Sequence, residues 1–368
     1  MIVREDIKKI LMGPKNVPST KGEKAEELLK ESNAVTVEIQ DYYNNLANDI
    51  DKFDKLAWET KSGYDTPHFS SFTKNLEGWT PGFYTFAGAA NHGKTALLLN
   101  VLEDLCTTES NKLFGIFFSL DDSKNKVIPR VVAMRETIPI SAVSKPARYK
   151  EMINNGHEDT LLFNEYLAKR KEGLESLKAD SNKMVIFDST EIKSYTQLYD
   201  TIKNVYMYVK AQDEEANIVV AIDSLKDVVL DDVKLDASER IAEVARRIKD
   251  ISIEFNCIVL SSMHLRKLNA TRRPTLDDLR EANTLEYELD ACFLIYNDVS
   301  KNKQNAKIFR YEDDADTEKK PVLEVDWAKN KISSYKGVSF CNFSPEYNKC
   351  TEVSETASEQ YTIKLYTL

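Results

Sequence analysis

The feature that most constrains this chain is Gly88-Ala-Ala-Asn-His-Gly-Lys-Thr95, which fits G-x-x-x-x-G-K-[ST], the phosphate-binding loop. An apolar run, Phe83–Ala87, leads into it, and a helical pattern starting at Thr95 follows. Strand, glycine-bracketed loop and helix in that order make a cradle for phosphate. Gly88 and Gly93 let the backbone curl until its amides face inward, and the helix N-terminus adds positive dipole. Ala89, Ala90, Asn91 and His92 complete the loop and Ala96 lies one residue beyond it, so Gly88 to Ala96 are the candidate nucleotide contacts. Lys94 has the reach to pair with β- and γ-phosphates, and the Thr95 hydroxyl is placed to ligate Mg²⁺. The expected ligands are a nucleoside triphosphate and Mg²⁺. A chain built on this motif is an α/β fold with a mostly parallel central sheet flanked by helices.

The pattern along the chain agrees. Between residues 63 and 350, short apolar runs alternate with helical ones, as a parallel sheet with crossover helices requires. Strands are expected at Phe83–Ala87, Leu113–Leu120, Met184–Asp188, Ile218–Asp223, Cys257–Ser262, Ala291–Tyr296, Ile308–Tyr311 and Val322–Trp327. Helices are expected at Thr95–Cys106, Val127–Glu136, Ser194–Gln212 and Ser238–Phe255. Residues 145–182, rich in Lys, Glu and Asn, read as a solvated helical insertion. Residues 1–62 read as a separate helical segment, with Lys61–Pro67 as a linker, and residues 351–368 as a polar tail or edge strand.

Three further positions carry chemistry. Ile218-Val-Val-Ala-Ile-Asp223 is a buried strand ending in a carboxylate, which could hold Mg²⁺ beside Thr95. Phe117-Phe-Ser-Leu-Asp-Asp122 is another; Asp121 is the candidate to orient an attacking water, and Asp122 the candidate helix N-cap. His264 follows the strand Ile258-Val-Leu-Ser-Ser-Met and could feel a γ-phosphate. The five cysteines show no C-x-x-C pairing and read as free, mostly buried thiols; four histidines make a zinc site an unpromising reading. No apolar run suits a membrane helix and the start is no signal peptide, so a cytoplasmic protein is expected. The net charge of −10 argues against a broad nucleic-acid face, yet a strand enclosed in a channel needs few basic donors per subunit.

The order of these motifs resembles hexameric replicative helicases of the DnaB type, including bacteriophage primase-helicases. The matching segments begin with Thr80-Pro-Gly-Phe-Tyr-Thr-Phe-Ala-Gly, then Phe118-Ser-Leu-Asp with Arg130 nine residues on, then Ile222-Asp-Ser-Leu. Ser262-Met-His-Leu-Arg, Arg273-Pro-Thr-Leu-Asp-Asp-Leu-Arg-Glu and Ala328-Lys-Asn-Lys331 complete them; the Arg-Pro-x-x-x-Asp-Leu-Arg-Glu run is the specific one.

This resemblance implies a RecA-like ATPase domain over residues 63–350, assembled as a six-membered ring around single-stranded DNA. It implies ATP as the nucleotide, with Lys94, Thr95 and Asp223 on ATP and Mg²⁺, Asp121 on water, and His264 as phosphate sensor. Lys329 and Lys331 would reach the neighbouring subunit's site, and Arg280, Glu281 and Asn283 would lie on the DNA-contacting loop. A primase or a helicase loader would be a partner, and a bacterial host's cytoplasm the setting if the chain is phage-encoded. The family usually has Glu at Asp121, Arg at Lys331 and Gly at Asn283, and residues 1–62 are shorter than its N-terminal collar. The implied function is ATP-dependent unwinding. The alternatives are a RecA-like ATPase that works on DNA without unwinding, or a nucleotide-binding scaffold that no longer turns over.

Overall fold

The computed structural model describes residues 45–55, 57–58, 63–265, 272–279, 285–312 and 317–367. Contacts divide the chain into two units, residues 1–61 and 62–368. In the first, residues 45–55 and 57–58 are helical.

The second unit is built on one sheet. Its strands are β1 (Gly82–Gly88), β2 (Leu113–Ser119), β3 (Met184–Asp188), β4 (Asn217–Asp223) and β5 (Ile258–His264). Then come β6 (Ala291–Asn297), β7 (Phe309–Arg310), β8 (Lys320–Asn330), β9 (Val338–Ser344) and β10 (Lys349–Glu352). The order is β10-β9-β8-β6-β1-β5-β4-β2-β3, with β7 paired to β8. The six strands from β6 to β3 run parallel, and β8, β9 and β10 add an antiparallel wing beyond β6. β1, β4 and β6 are buried at every residue, which is why their sequences are continuous apolar runs rather than alternating ones.

Helices cover both faces. They are α1 (Ser70–Leu76), α2 (Lys94–Thr107), α3 (Lys124–Glu136), α4 (Ile140–Ser144), α5 (Pro146–Asn154) and α6 (Thr160–Ala179). After them come α7 (Tyr195–Gln212), α8 (Ala237–Glu254), α9 (Leu285–Glu288), α10 (Asp298–Asn302) and α11 (Glu355–Tyr366). One core packs α1, α2 and α3 against a sheet face through Phe72, Leu98, Leu102, Val131 and Phe293. The other packs α7 and α8 through Leu198, Ile202, Val244 and Ile248.

Four regions differ from the sequence reading. Residues 63–67 are part of the domain rather than a free linker, because Tyr64 and Trp79 exchange backbone hydrogen bonds of 2.7 and 2.8 Å. Thr66 is buried and accepts a 3.0 Å hydrogen bond from the Trp79 indole. β9 and β10 have no counterpart among the expected strands. The last residues form helix α11 rather than an edge strand: Ser354 caps it by accepting from the Ala357 amide, and Tyr361 is buried beside Phe340 and Ile308. Within 145–182, α6 is not wholly solvated. Its Phe163 and Gly173 are buried, and a Cβ at Gly173 would lie 2.6 Å from Glu136 Cγ of α3. The five cysteines are free and buried.

Candidate nucleotide site

The carboxyl ends of β1, β2, β4 and β5 meet at one end of the sheet, and the loop after β1 turns there into α2. Gly93 has φ +89°, a conformation that disfavours any side chain, and a Cβ at Gly88 would stand 2.7 Å from the Ile295 carbonyl oxygen. The two glycines therefore have separate jobs. One makes the left-handed turn into α2, and the other lets the loop press on β6.

Lys94 is 5 % exposed. Its Nζ donates to the Ala89 carbonyl at 2.8 Å and lies 3.4 Å from His264 Nδ1. Burial pulls its pKa down to about 8, against the pull of Asp223 and Asp121 upward. A buried ammonium with two neutral partners is a site waiting for anionic charge. His264, half-buried at the end of β5, has its pKa lowered by burial and by Lys94, which favours the neutral ring. His92 is also buried; desolvation and Lys94 push its pKa to about 4, and its Nδ1 accepts a 3.2 Å hydrogen bond from the Asn297 amide.

Asp223 closes β4. Its carboxylate accepts from the hydroxyls of Ser262 and Thr95, and burial raises its pKa. Thr95 hydroxyl and Asp223 carboxylate thus form a pair of hard oxygen donors at the end of the phosphate loop, a set that suits Mg²⁺. The amides of Leu120 and Asp121 both donate to the Asp223 carbonyl, at 2.7 and 3.2 Å, and this clamps the segment after β2 to the end of β4. The Asp121 side chain is exposed on that segment. Asp122, the expected helix cap, does something else. Its carboxylate pairs with Arg130 at 2.9 Å and Lys126 at 2.8 Å; partial burial opposes the effect, but these cations hold its pKa low. Ser123 takes the N-cap position of α3 instead.

A cavity of about 690 Å³ joins Asn91, Lys94, Thr95, Asp121, Arg130 and His264. Its far wall comes from the antiparallel wing, through Pro321, Phe343 and Asn348 just before β10, and from Asn297 at the end of β6 with Val299 of α10. The sequence reading missed these wall residues, since only the strand order brings them to the loop. Arg130 was legible as part of a motif, but its tie to Asp122 was not.

Lys329 and Lys331 lie elsewhere. β8 runs antiparallel to β6, so Lys329 is level with Cys292, near the start of β6. Gly88 is level with Ile295, which pairs with Val325. Lys331, the residue after β8, is therefore six residues, about 20 Å, beyond the position level with Gly88 of its own chain. There Lys329 donates to the Glu286 carbonyl and Lys331 to the Tyr287 carbonyl at 2.8 Å. Arg280, Glu281 and Asn283 lie outside the described residues. Among the described residues, no helix is long and apolar enough to cross a membrane, and no group of His, Cys, Asp and Glu forms a metal cluster.

The family model for the DnaB-like helicase C-terminal domain matches residues 65–352. The chain is 26% identical over 295 residues to a probable replicative DNA helicase of Trieres chinensis, covering 76% of this chain and 58% of that one. It is 22% identical over 348 residues to the replicative DNA helicase DnaC of Bacillus subtilis, covering 90% and 68%. With the replicative DNA helicase DnaB of Mycoplasma pneumoniae the match covers 62% of this chain and 45% of that one, so it spans about half the length of such relatives. Among solved structures, one described as an ATPase domain superposes with a TM-score of 0.66 at 19% identity, covering 84% of this chain and 99% of that one. A DnaB-like replicative helicase, described together with its interactions with primase, gives 0.63 at 18%, covering 95% and 71%. At these identities the superpositions speak to the fold alone, the α/β architecture of a mostly parallel sheet flanked by helices anticipated above.

Proposed function

The chain belongs to the DnaB-like helicase C-terminal domain family, and from that premise we propose that it is the motor of an ATP-dependent replicative DNA helicase. It forms a ring, six-membered as the family resemblance implies, that translocates on single-stranded DNA and unwinds duplex in the cytoplasm, that of a bacterial host if phage-encoded. A primase or a loader is its expected partner.

In this reading the loop amides from Gly88 to Ala96 and the Lys94 ammonium bind the triphosphate. Thr95 and Asp223 would hold Mg²⁺, which when bound neutralises charge on the β- and γ-phosphates. Asp121 orients the attacking water and accepts its proton, and Asp122 with Arg130 holds the segment that carries Asp121. His264, neutral beside Lys94, registers whether a γ-phosphate is present. Lys329 and Lys331 serve the neighbouring subunit's nucleotide. Arg280, Glu281 and Asn283 contact the DNA backbone, where phosphate contacts carry no sequence preference.

One observation carries the reading: Lys94, Thr95, Asp121 and His264 converge on one cavity, while Lys329 and Lys331 sit at the opposite end of the strands. A self-contained ATPase has no use for that division; a ring with shared sites does. The test is strand displacement on a forked duplex. ATP-dependent displacement that Lys94→Ala loses is the expected result. Hydrolysis with no displacement would favour the non-unwinding alternative.

A further inference from the structure

The phosphate loop and the Arg-Pro-x-x-x-Asp-Leu-Arg-Glu run are joined by a chain of side chains that no catalytic role accounts for. Tyr296 of β6 and Glu324 of β8 are direct cross-strand partners, 3 % and 2 % exposed. Arg273 closes on this pair from the other side. Its guanidinium makes two hydrogen bonds to the Glu324 carboxylate, at 2.5 and 2.9 Å, and lies 5.2 Å from the centre of the Tyr296 ring. The other side of the relay is His92 of the phosphate loop, edge-on to the same ring with centroids 5.5 Å apart. The next residue of β6, Asn297, donates its amide to His92 Nδ1. His92 is thus held twice by β6, once by a ring and once by the backbone.

The segment Arg273 belongs to is itself tied tight. Arg272 forks onto Asp278 at 2.8 and 2.6 Å, and the Thr275 amide donates to the same carboxylate at 2.7 Å. Residues 272–279 therefore move as a block whose attachment to the sheet includes the Arg273–Glu324–Tyr296 contact. A shift of the phosphate loop would press His92 against Tyr296 and, through the ring face, reach Arg273 and the block.

We propose that Tyr296 is a positioning residue that couples nucleotide occupancy to DNA affinity, with His92 on one side and Arg273–Glu324 on the other. The inference rests on the DNA-motor reading above, in which Arg280, Glu281 and Asn283, shortly after the block in sequence, contact DNA. Packed elements with two arrangements are what transmits such coupling, and substitutions along the contact path modulate it.

The experiment is a thermodynamic one. The dissociation constant of a fluorescent oligo-dT is measured by anisotropy with and without a non-hydrolysable ATP analogue, and the ratio of the two is the coupling. By reciprocity the same ratio appears in analogue binding with and without DNA. In the native protein the ratio is well above one, and Tyr296→Phe, which keeps the ring, preserves it. In Tyr296→Leu the ratio falls by about tenfold, within the usual span of such couplings, while affinity for analogue alone and for DNA alone stays within about twofold of native. A merely structural Tyr296 would lower all of these together or none. Should Tyr296→Leu not fold, Arg273→Lys decides: it keeps a charge facing Glu324 but loses the planar face on the ring. A native-like ratio in either folded variant overturns the proposal. A native protein that does not bind the oligonucleotide at all overturns the DNA-motor reading and this inference with it.

Discussion

Lys94 shows how burial and chemistry meet in one residue. Taken out of water with the Ala89 carbonyl and His264 as its hydrogen-bond partners among the described residues, its ammonium is poorly satisfied until phosphate arrives. Lys94→Ala should lower ATP turnover by at least about 100-fold, the scale seen when a charge-stabilising donor is removed; native-like turnover would sink the site assignment. His92 makes a different prediction. Its pKa in the folded chain is about 4, against 6.5 for the free side chain, so the folded state excludes a proton that the unfolded state binds. The stability this represents is complete above pH 6.5 and is lost as pH falls toward 4, by at most about 3 kcal/mol. The melting temperature of the native protein should therefore drop more steeply over that interval than that of His92→Gln; parallel curves would contradict it. Lys94, Thr95 and Asp223 could be read from sequence because motif spacing alone fixes their chemistry. His92 and Asn297 could not be paired that way, since 205 residues separate them and only the β1–β6 pairing brings them together.

At the scale of elements, the small helix α1 and the residues around it cap the end of the sheet through aromatic contacts. Trp79 is fully buried, stacks on Phe72 with ring centres 6.1 Å apart, tilts against Tyr84 at 5.1 Å and donates to Thr66. Trp79→Ala should cost about 3–5 kcal/mol in denaturant unfolding, and a loss below about 1 kcal/mol would show that this cap is dispensable. The parallel strands were legible because burial on both faces makes them short, unbroken apolar runs. β9 and β10 were not. β9 mixes buried and half-buried positions along Val338–Ser344, and Lys349–Glu352 is too short and polar to declare itself. α11 was hidden for a related reason: among its residues only Tyr361 is buried, so no apolar stripe announced a helix.

For the whole molecule the decisive feature is polarity. One end of the strands holds the phosphate loop, and the other holds Lys329 of β8, the strand whose Leu323 lies against Gly93, and Lys331 just after it. Such a chain is suited to head-to-tail association, in which each interface combines two different faces. Mixing two separately inactive variants tests this. In a ring of Lys94→Ala and Lys331→Ala subunits, an intact phosphate loop can meet an intact lysine at about a quarter of interfaces, given equal amounts and random order. ATP turnover should then recover toward that fraction, whereas sites complete within one chain would leave the mixture inactive. The net charge of −10 puts a further demand on the account: any DNA contact must be made by a few local donors, and its affinity must weaken with salt. The most direct measurement of the central claim is ATP hydrolysis by the purified protein, titrated with single-stranded DNA at several salt concentrations. Turnover that DNA stimulates strongly and salt suppresses is the expected result; tight ATP binding with no turnover under any of these conditions would contradict a DNA-tracking motor.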